Sequence, residues 1–167
     1  MLDKINESSK SNIFITGQKR SGKTTTIVNY IKKYKIKNLA GFMVVRRLIE
    51  NKPASFHLVS PDEYINSKNT SSLKQDNCFA SRGKSTGYNW EIHPEVFNDL
   101  GVQLLKSGDK SSLVIMDELG RFESNSWEFQ TQVFKTLLSE KQVLGVLKAE
   151  SNSFLDKIRL RTDVEIF

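Results

Sequence analysis

The sequence predicts an α/β fold: a mainly parallel central sheet flanked by helices, with a β-hairpin region inserted into it. Three observations carry that prediction. A glycine-containing loop at 17–24 lies between a short apolar run and a helical pattern. A second apolar run at 113–116 ends in two adjacent acids. Strand and helix signals alternate at both ends of the chain, the pattern that builds parallel strands wrapped by helices. No internal repeat or linker divides the rest, so residues 12–167 read as one domain behind a polar, flexible lead-in at 1–11.

The elements follow in order. Asn12 to Thr16 is a β-branched apolar run that reads as a buried strand. Residues 24–34 read as a helix with Ile27, Val28 and Ile31 on one side. Lysines at 32, 33, 35 and 37 close it, complementing the negative end of the helix dipole; contact with nucleic acid is the alternative for this cluster. Residues 39–47 and 55–60 form two strands joined around Asn51, Lys52 and Pro53, the inserted hairpin. Residues 66–77 are polar and read as an exposed loop, and 85–90 hold turn residues before a strand at 88–92. His93-Pro94-Glu95 opens a helix whose core face is Val96, Phe97, Leu100, Leu104 and Leu105, with His93 structural or capping. A strand ending at the acid pair, a helix at 127–139, a strand at 142–147, a helix at 153–159 and a last strand at 163–167 complete the chain.

Composition narrows the function classes. With 167 residues and one cysteine, the chain is not a disulfide-stapled scaffold, and 38% hydrophobic content excludes a disordered one. No apolar run approaches the roughly 20 residues that cross a bilayer. The start has no apolar segment of the kind a signal peptide carries, so the expected compartment is the cytoplasm. The net charge of +6 permits polyanion binding without requiring it. Cys78 has no Cys or His at ligand spacing, and His57 reads as packing within a strand.

Gly17-Gln18-Lys19-Arg20-Ser21-Gly22-Lys23-Thr24 matches G-x-x-x-x-G-K-[ST], the phosphate loop or Walker A motif, in its confirming strand–loop–helix setting. The glycines let backbone amides approach phosphate oxygens, and the following helix adds the positive end of its dipole. Residues 17–25, including Thr25, are therefore expected to bind the phosphates of ATP, GTP or another nucleoside triphosphate. Lys23 reaches the β- and γ-phosphates, and Thr24 ligates Mg²⁺. Lys19 and Arg20 face solvent and add positive charge. Asp117, at the end of a buried strand, is placed to hold magnesium as a Walker B acid, and Glu118 to act as general base. Arg46, Arg47, Arg121 and Lys148 are candidates for the cation that stabilises the transferred phosphoryl group.

Thr16-Gly17 through Thr24-Thr25, Gly41-Phe42, Asp117-Glu118-Leu119-Gly120-Arg121-Phe122-Glu123 and Phe154-Leu155-Asp156-Lys157-Ile158 occur in an order and spacing that resembles one family. It is the small P-loop nucleoside-triphosphatases, which include the human cancer-related nucleoside-triphosphatase. Its acid strand reads D-E-[IL]-G-x-[MF]-E, and the likeness runs from about Asn12 to Phe167. The resemblance implies magnesium-dependent hydrolysis of nucleoside triphosphates to diphosphate and phosphate with broad base tolerance. It also implies roles for Lys23, Thr24, Asp117 and Glu118 that agree with the reading above, and an open role for Glu123. Where the family often carries T-x-H, this chain has Leu147-Lys148-Ala149. The alternatives are a nucleotide or nucleoside kinase, which needs an acceptor pocket, and a nucleotide-gated binding protein with slow hydrolysis.

Overall fold

The computed structural model describes residues 1–66, 73–82, 89–109 and 112–167. Eight strands form one sheet: β1 (Asn12–Ile15), β2 (Leu39–Ile49), β3 (Lys52–Val59), β4 (Cys78–Arg82), β5 (Trp90–Ile92), β6 (Leu113–Leu119), β7 (Gln142–Leu147) and β8 (Val164–Ile166). Their order is β5-β4-β3-β2-β6-β7-β1-β8. The side from β2 to β8 is parallel, and β3, β4 and β5 add to it antiparallel. The loop-bearing strand β1 is thus separated from the acid-bearing strand β6 by β7.

Helices cover both faces because the strands alternate two apolar sets. Phe14, Phe42, Val114 and Met116 point into one core, against α4 (Pro94–Val96), α5 (Val102–Lys106), α6 (Trp127–Leu137) and α7 (Ser153–Arg159). Ile13, Ile15, Met43 and Ile115 point into the other, against α2 (Lys23–Lys33) and its Ile27 and Ile31. Every residue of β1 and the first five of β6 are buried, as central strands of a covered sheet must be. Among the described residues, no helix is long and apolar enough to cross a membrane.

The strands expected at 12–16, 39–47, 55–60, 142–147 and 163–167 are all present, as are the helices expected from 24, 127 and 153. Other segments differ from expectation. The lead-in at 1–11 contains a helix, α1 (Leu2–Glu7), which buries Ile5 in the α2-side core; Asp3 pairs with Lys33 at 2.5 Å. One apolar residue and one ion pair give no period for a sequence reading to detect. Residues 61–82 hold a short helix, α3 (Pro61–Asn66), and the unexpected strand β4. The loop expected at 66–77 falls partly on 67–72, and the turn at 85–90 largely on 83–88, both outside the described residues; the strand expected at 88–92 is the shorter β5. The helix opened by His93 is continuous, but its middle, Phe97–Gly101, is a π-helical turn. His93 occupies the N-cap position without capping, its Nδ1 lying 3.2 Å from Glu95 instead. His57 is buried and bonded to Ser55 and Asn77, in keeping with a packing role.

Gly41 has φ +88°, and a Cβ there would lie 2.0 Å from the Ile115 carbonyl oxygen. The close pairing of β2 with β6, which sets where the acids emerge, depends on that missing side chain. Gly41→Ala is expected to cost at least about 2 kcal/mol in urea unfolding. A wild-type midpoint would mean β2 can shift away from β6 at no cost.

Candidate active site

The loop between β1 and α2 is built on backbone conformations that glycine accepts. Gly17 has φ +132° and Gly22, the residue capping α2, has φ +85°. Its base is fastened by the last residue of the chain: the Thr16 N–H donates to the Phe167 carbonyl at 2.9 Å, and the Phe167 N–H to Phe14 at 2.9 Å. Residues 17–22 are exposed around the N-terminus of α2. The Lys23 ammonium lies across the loop, donating to the carbonyls of Gly17 (3.0 Å) and Gln18 (2.7 Å).

The loop forms one end of a cavity of about 930 Å³. Asp117 closes in beneath it from β6. It is 3% exposed, takes a hydrogen bond from the Thr24 side chain, and has its second oxygen, Oδ2, buried without a partner. Burial raises its carboxyl to about 6, opposed by Thr24 and by the charges of Arg46 and Lys23. Glu118, one residue on, lines the cavity, with its Oε1 3.1 Å from the Lys148 ammonium. The loop, Thr24, Asp117 and Glu118 therefore converge, as their positions at the carboxyl ends of parallel strands require.

The candidate cations separate. Lys148 contacts Glu118, and Arg46 and Arg121 line the cavity. Arg47, the neighbour of Arg46 on β2, lines a different cavity, because successive residues of a strand point to opposite faces.

The segment after β6 explains its own composition. A Cβ on Gly120 would meet the Lys148 side chain at 2.8 Å, so a larger residue would push that lysine off Glu118. Glu123, 2% exposed, accepts from the Gly120 N–H at 2.9 Å and fixes the turn from inside. Arg159 on α7 donates to the carbonyls of Lys148 and Glu150, holding the strand end that carries the lysine. Neither Arg159 nor the cavity-lining Phe56, Tyr64 and Trp90 was singled out by sequence. They come from elements distant along the chain, and no spacing links them to the loop.

A family described as NTPase matches residues 12–167. The nucleoside-triphosphatase THEP1 of Thermotoga petrophila is 30% identical over 159 residues, covering 93% of this chain and 82% of its own. That of Methanocaldococcus jannaschii is 28% identical over 154 residues, covering 90% and 86%. The fold resembles the crystal structure of THEP1 from Aquifex aeolicus, with TM-score 0.69 at 20% identity over 93% of this chain and 88% of that one. It also resembles the solution structure of a human cancer-related nucleoside triphosphatase, with TM-score 0.67 at 22% identity over 93% and 87%.

Burial pushes Glu123 up to about 7, opposed by the backbone N–H groups of Glu123 and Gly120 that favour its charged form. In the unfolded chain the carboxyl titrates near its ordinary 4.5. Between these values the folded protein keeps a proton that the unfolded chain has released. Stability from this group is therefore full below about pH 4.5 and lost as pH rises through about 7. Glu123→Gln keeps the acceptor for Gly120 but does not titrate. The fall in unfolding free energy between pH 5 and pH 8 is expected to shrink by about 2 kcal/mol in this variant, read by urea unfolding at both. An unchanged fall would mean that Glu123 is ionised in place.

Proposed function

The chain belongs to the NTPase family, and from that premise we propose that it hydrolyses nucleoside 5′-triphosphates to diphosphate and phosphate, with Mg²⁺ and with broad tolerance of the base. The observation that carries the magnesium is the buried, unpartnered Oδ2 of Asp117 beside Thr24. A carboxylate withdrawn from water requires a cation or a proton, and hard oxygen ligands next to a phosphate site suit magnesium. Among the described residues no cluster of three or more His, Cys, Asp or Glu could hold a metal. Asp117 and Thr24 would hold the ion through their oxygens, and it would supply positive charge for the β- and γ-phosphates.

The chain's own residues divide the remaining work. The amides of residues 17–25 and the start of α2 bind the phosphates. Lys23 exchanges its loop carbonyls for β- and γ-oxygens as the nucleotide arrives. Glu118 accepts a proton from the attacking water, and Lys148 orients that carboxylate and adds positive charge where it develops on the phosphoryl oxygens. Broad base tolerance follows from contacts concentrated on the phosphates, which every nucleoside triphosphate shares.

Phosphate release from ATP, GTP, CTP and UTP, with Mg²⁺ and with chelator, tests the reading. All four nucleotides are expected to be cleaved with Mg²⁺ and none without. Lys23→Ala should abolish turnover and weaken binding. Glu118→Gln should lower kcat about a hundredfold or more with nucleotide affinity little changed. Wild-type release by Glu118→Gln would remove the general base, and cleavage of a single nucleotide would remove the base tolerance.

A further inference from the structure

The cavity in front of the phosphate loop extends well beyond the loop, and its far side has a different chemistry. Phe56 on β3, Trp90 on β5 and Phe122 after β6 form a three-ring cluster, with centroids 4.9 Å apart for Phe56–Trp90, 5.6 Å for Phe56–Phe122 and 6.0 Å for Trp90–Phe122. All three are only partly buried, and all line the cavity. The Arg82 guanidinium lies over Trp90 at 5.4 Å and that of Arg121 over Phe122 at 5.5 Å. Among the described residues no carboxylate forms an ion pair with Arg46, Arg82 or Arg121. Aromatic faces beside guanidinium groups complement a planar base that carries an anionic group.

Position decides which molecule that is. β1 carries the phosphate loop; β3 lies four strands away from it and β5 six, at about 4.8 Å per strand. Between the two halves stands Lys148, its ammonium 3.1 Å from Glu118 and 5.3 Å from the Phe122 ring centroid. In-line displacement puts the attacking oxygen and the departing diphosphate on opposite sides of the γ-phosphorus. With the water on the Glu118 side, the nucleoside of the cleaved molecule leads away from Glu118, and the aromatic half lies on the attacking side. The base being carried by the substrate is therefore not its occupant.

We propose that the aromatic half of the cavity is a second nucleotide site, taking a nucleoside monophosphate with its base against the Phe56–Trp90 faces and its phosphate toward the arginines. The proposal rests on the phosphate-site reading above. An occupant there stands where the attacking water would otherwise approach, so the site couples a second nucleotide to turnover of the first.

The test uses Trp90 as reporter. The other tryptophan, Trp127, is 70% exposed at the start of α6, so Trp127→Phe leaves Trp90 as the sole tryptophan, excited apart from the tyrosines at 295 nm or above. This protein is saturated with a non-hydrolysable triphosphate analogue and Mg²⁺, then titrated with AMP, GMP, CMP and UMP. Saturable quenching while the analogue stays bound is expected. Phe56→Ala should weaken the monophosphate about fivefold or more, and Arg82→Ala, at an exposed position, should weaken it without risk to the core. Neither should move the analogue's affinity by more than about twofold. Displacement of the analogue by the monophosphate would overturn the proposal. So would weaker analogue binding in Phe56→Ala or Arg82→Ala, or no quenching at millimolar monophosphate. Failure of the underlying reading looks different: the analogue itself would not bind, or Lys23→Ala would not weaken it.

Discussion

The structure turns on one buried carboxylate. Asp117 sits near the end of β6 behind four buried residues, and it is itself 3% exposed with one oxygen lacking a partner among the described residues. Left ionised in an apolar setting, such a group is among the most costly a fold can hold. The surroundings meet that cost only in part: the Thr24 hydroxyl donates to it, and the charges of Arg46 and Lys23 act on it. What remains is a demand for a further positive charge or a proton at one point, beneath the phosphate loop. The parallel strands β1 and β6 bring the loop and the acid to the same, carboxyl-terminal end of the sheet.

Geometry beyond Asp117 is held by a small set of mutually dependent contacts. Gly120 is small so that the Lys148 stem can pass. Lys148 reaches Glu118, and Arg159 fixes the backbone from which the lysine projects. Glu123 ties the turn through the Gly120 N–H, and Gln130 Nε2 donates to the Glu123 carbonyl at 2.8 Å, joining the turn to α6. The run Asp117 to Glu123 thus reads as a single device. One acid lines the cavity and its neighbour is buried behind it, a glycine leaves room for the lysine that follows the neighbouring strand, and a further buried acid locks the turn.

Much of this was legible in the sequence for a definite physical reason. The loop, its strand and helix, and the acid-tipped strand are local patterns, each fixed by residues within a few positions, so periodicity and motif spacing report them directly. The alternation of Phe14 with Ile13 and Ile15 announces a strand covered on both faces. What was not legible depends on contacts between distant segments. α1 is held by Ile5 and Asp3 against α2, strand β4 by its pairing with β3, and the aromatic side of the cavity by rings from β3, β5 and the turn after β6. The π-turn at Phe97–Gly101 likewise leaves the apolar spacing of its helix nearly intact, so no sequence period betrays it. Arg46 and Arg47 were equivalent by spacing; only the register of β2 against β3 and β6 sends one to the site and the other to the opposite face.

Under the proposed function, Lys23 links the resting loop to the working one. Its ammonium lies on the carbonyls of Gly17 and Gln18, the same turn whose amides are to receive phosphate. A lysine bound to an acid in this position would have to surrender a stronger contact before meeting substrate. Neutral carbonyls hold the ammonium near the phosphate position and release it to a more highly charged partner. The loop is correspondingly set before the nucleotide arrives. Its base is pinned through Thr16 to Phe167, the residue that follows β8, so the ends of β1 and β8 both act on the same turn. Under the proposed function, exchanging the lysine's partners with the backbone already in place would confine the reorganisation on binding to one flexible side chain, leaving the loop amides free for phosphate.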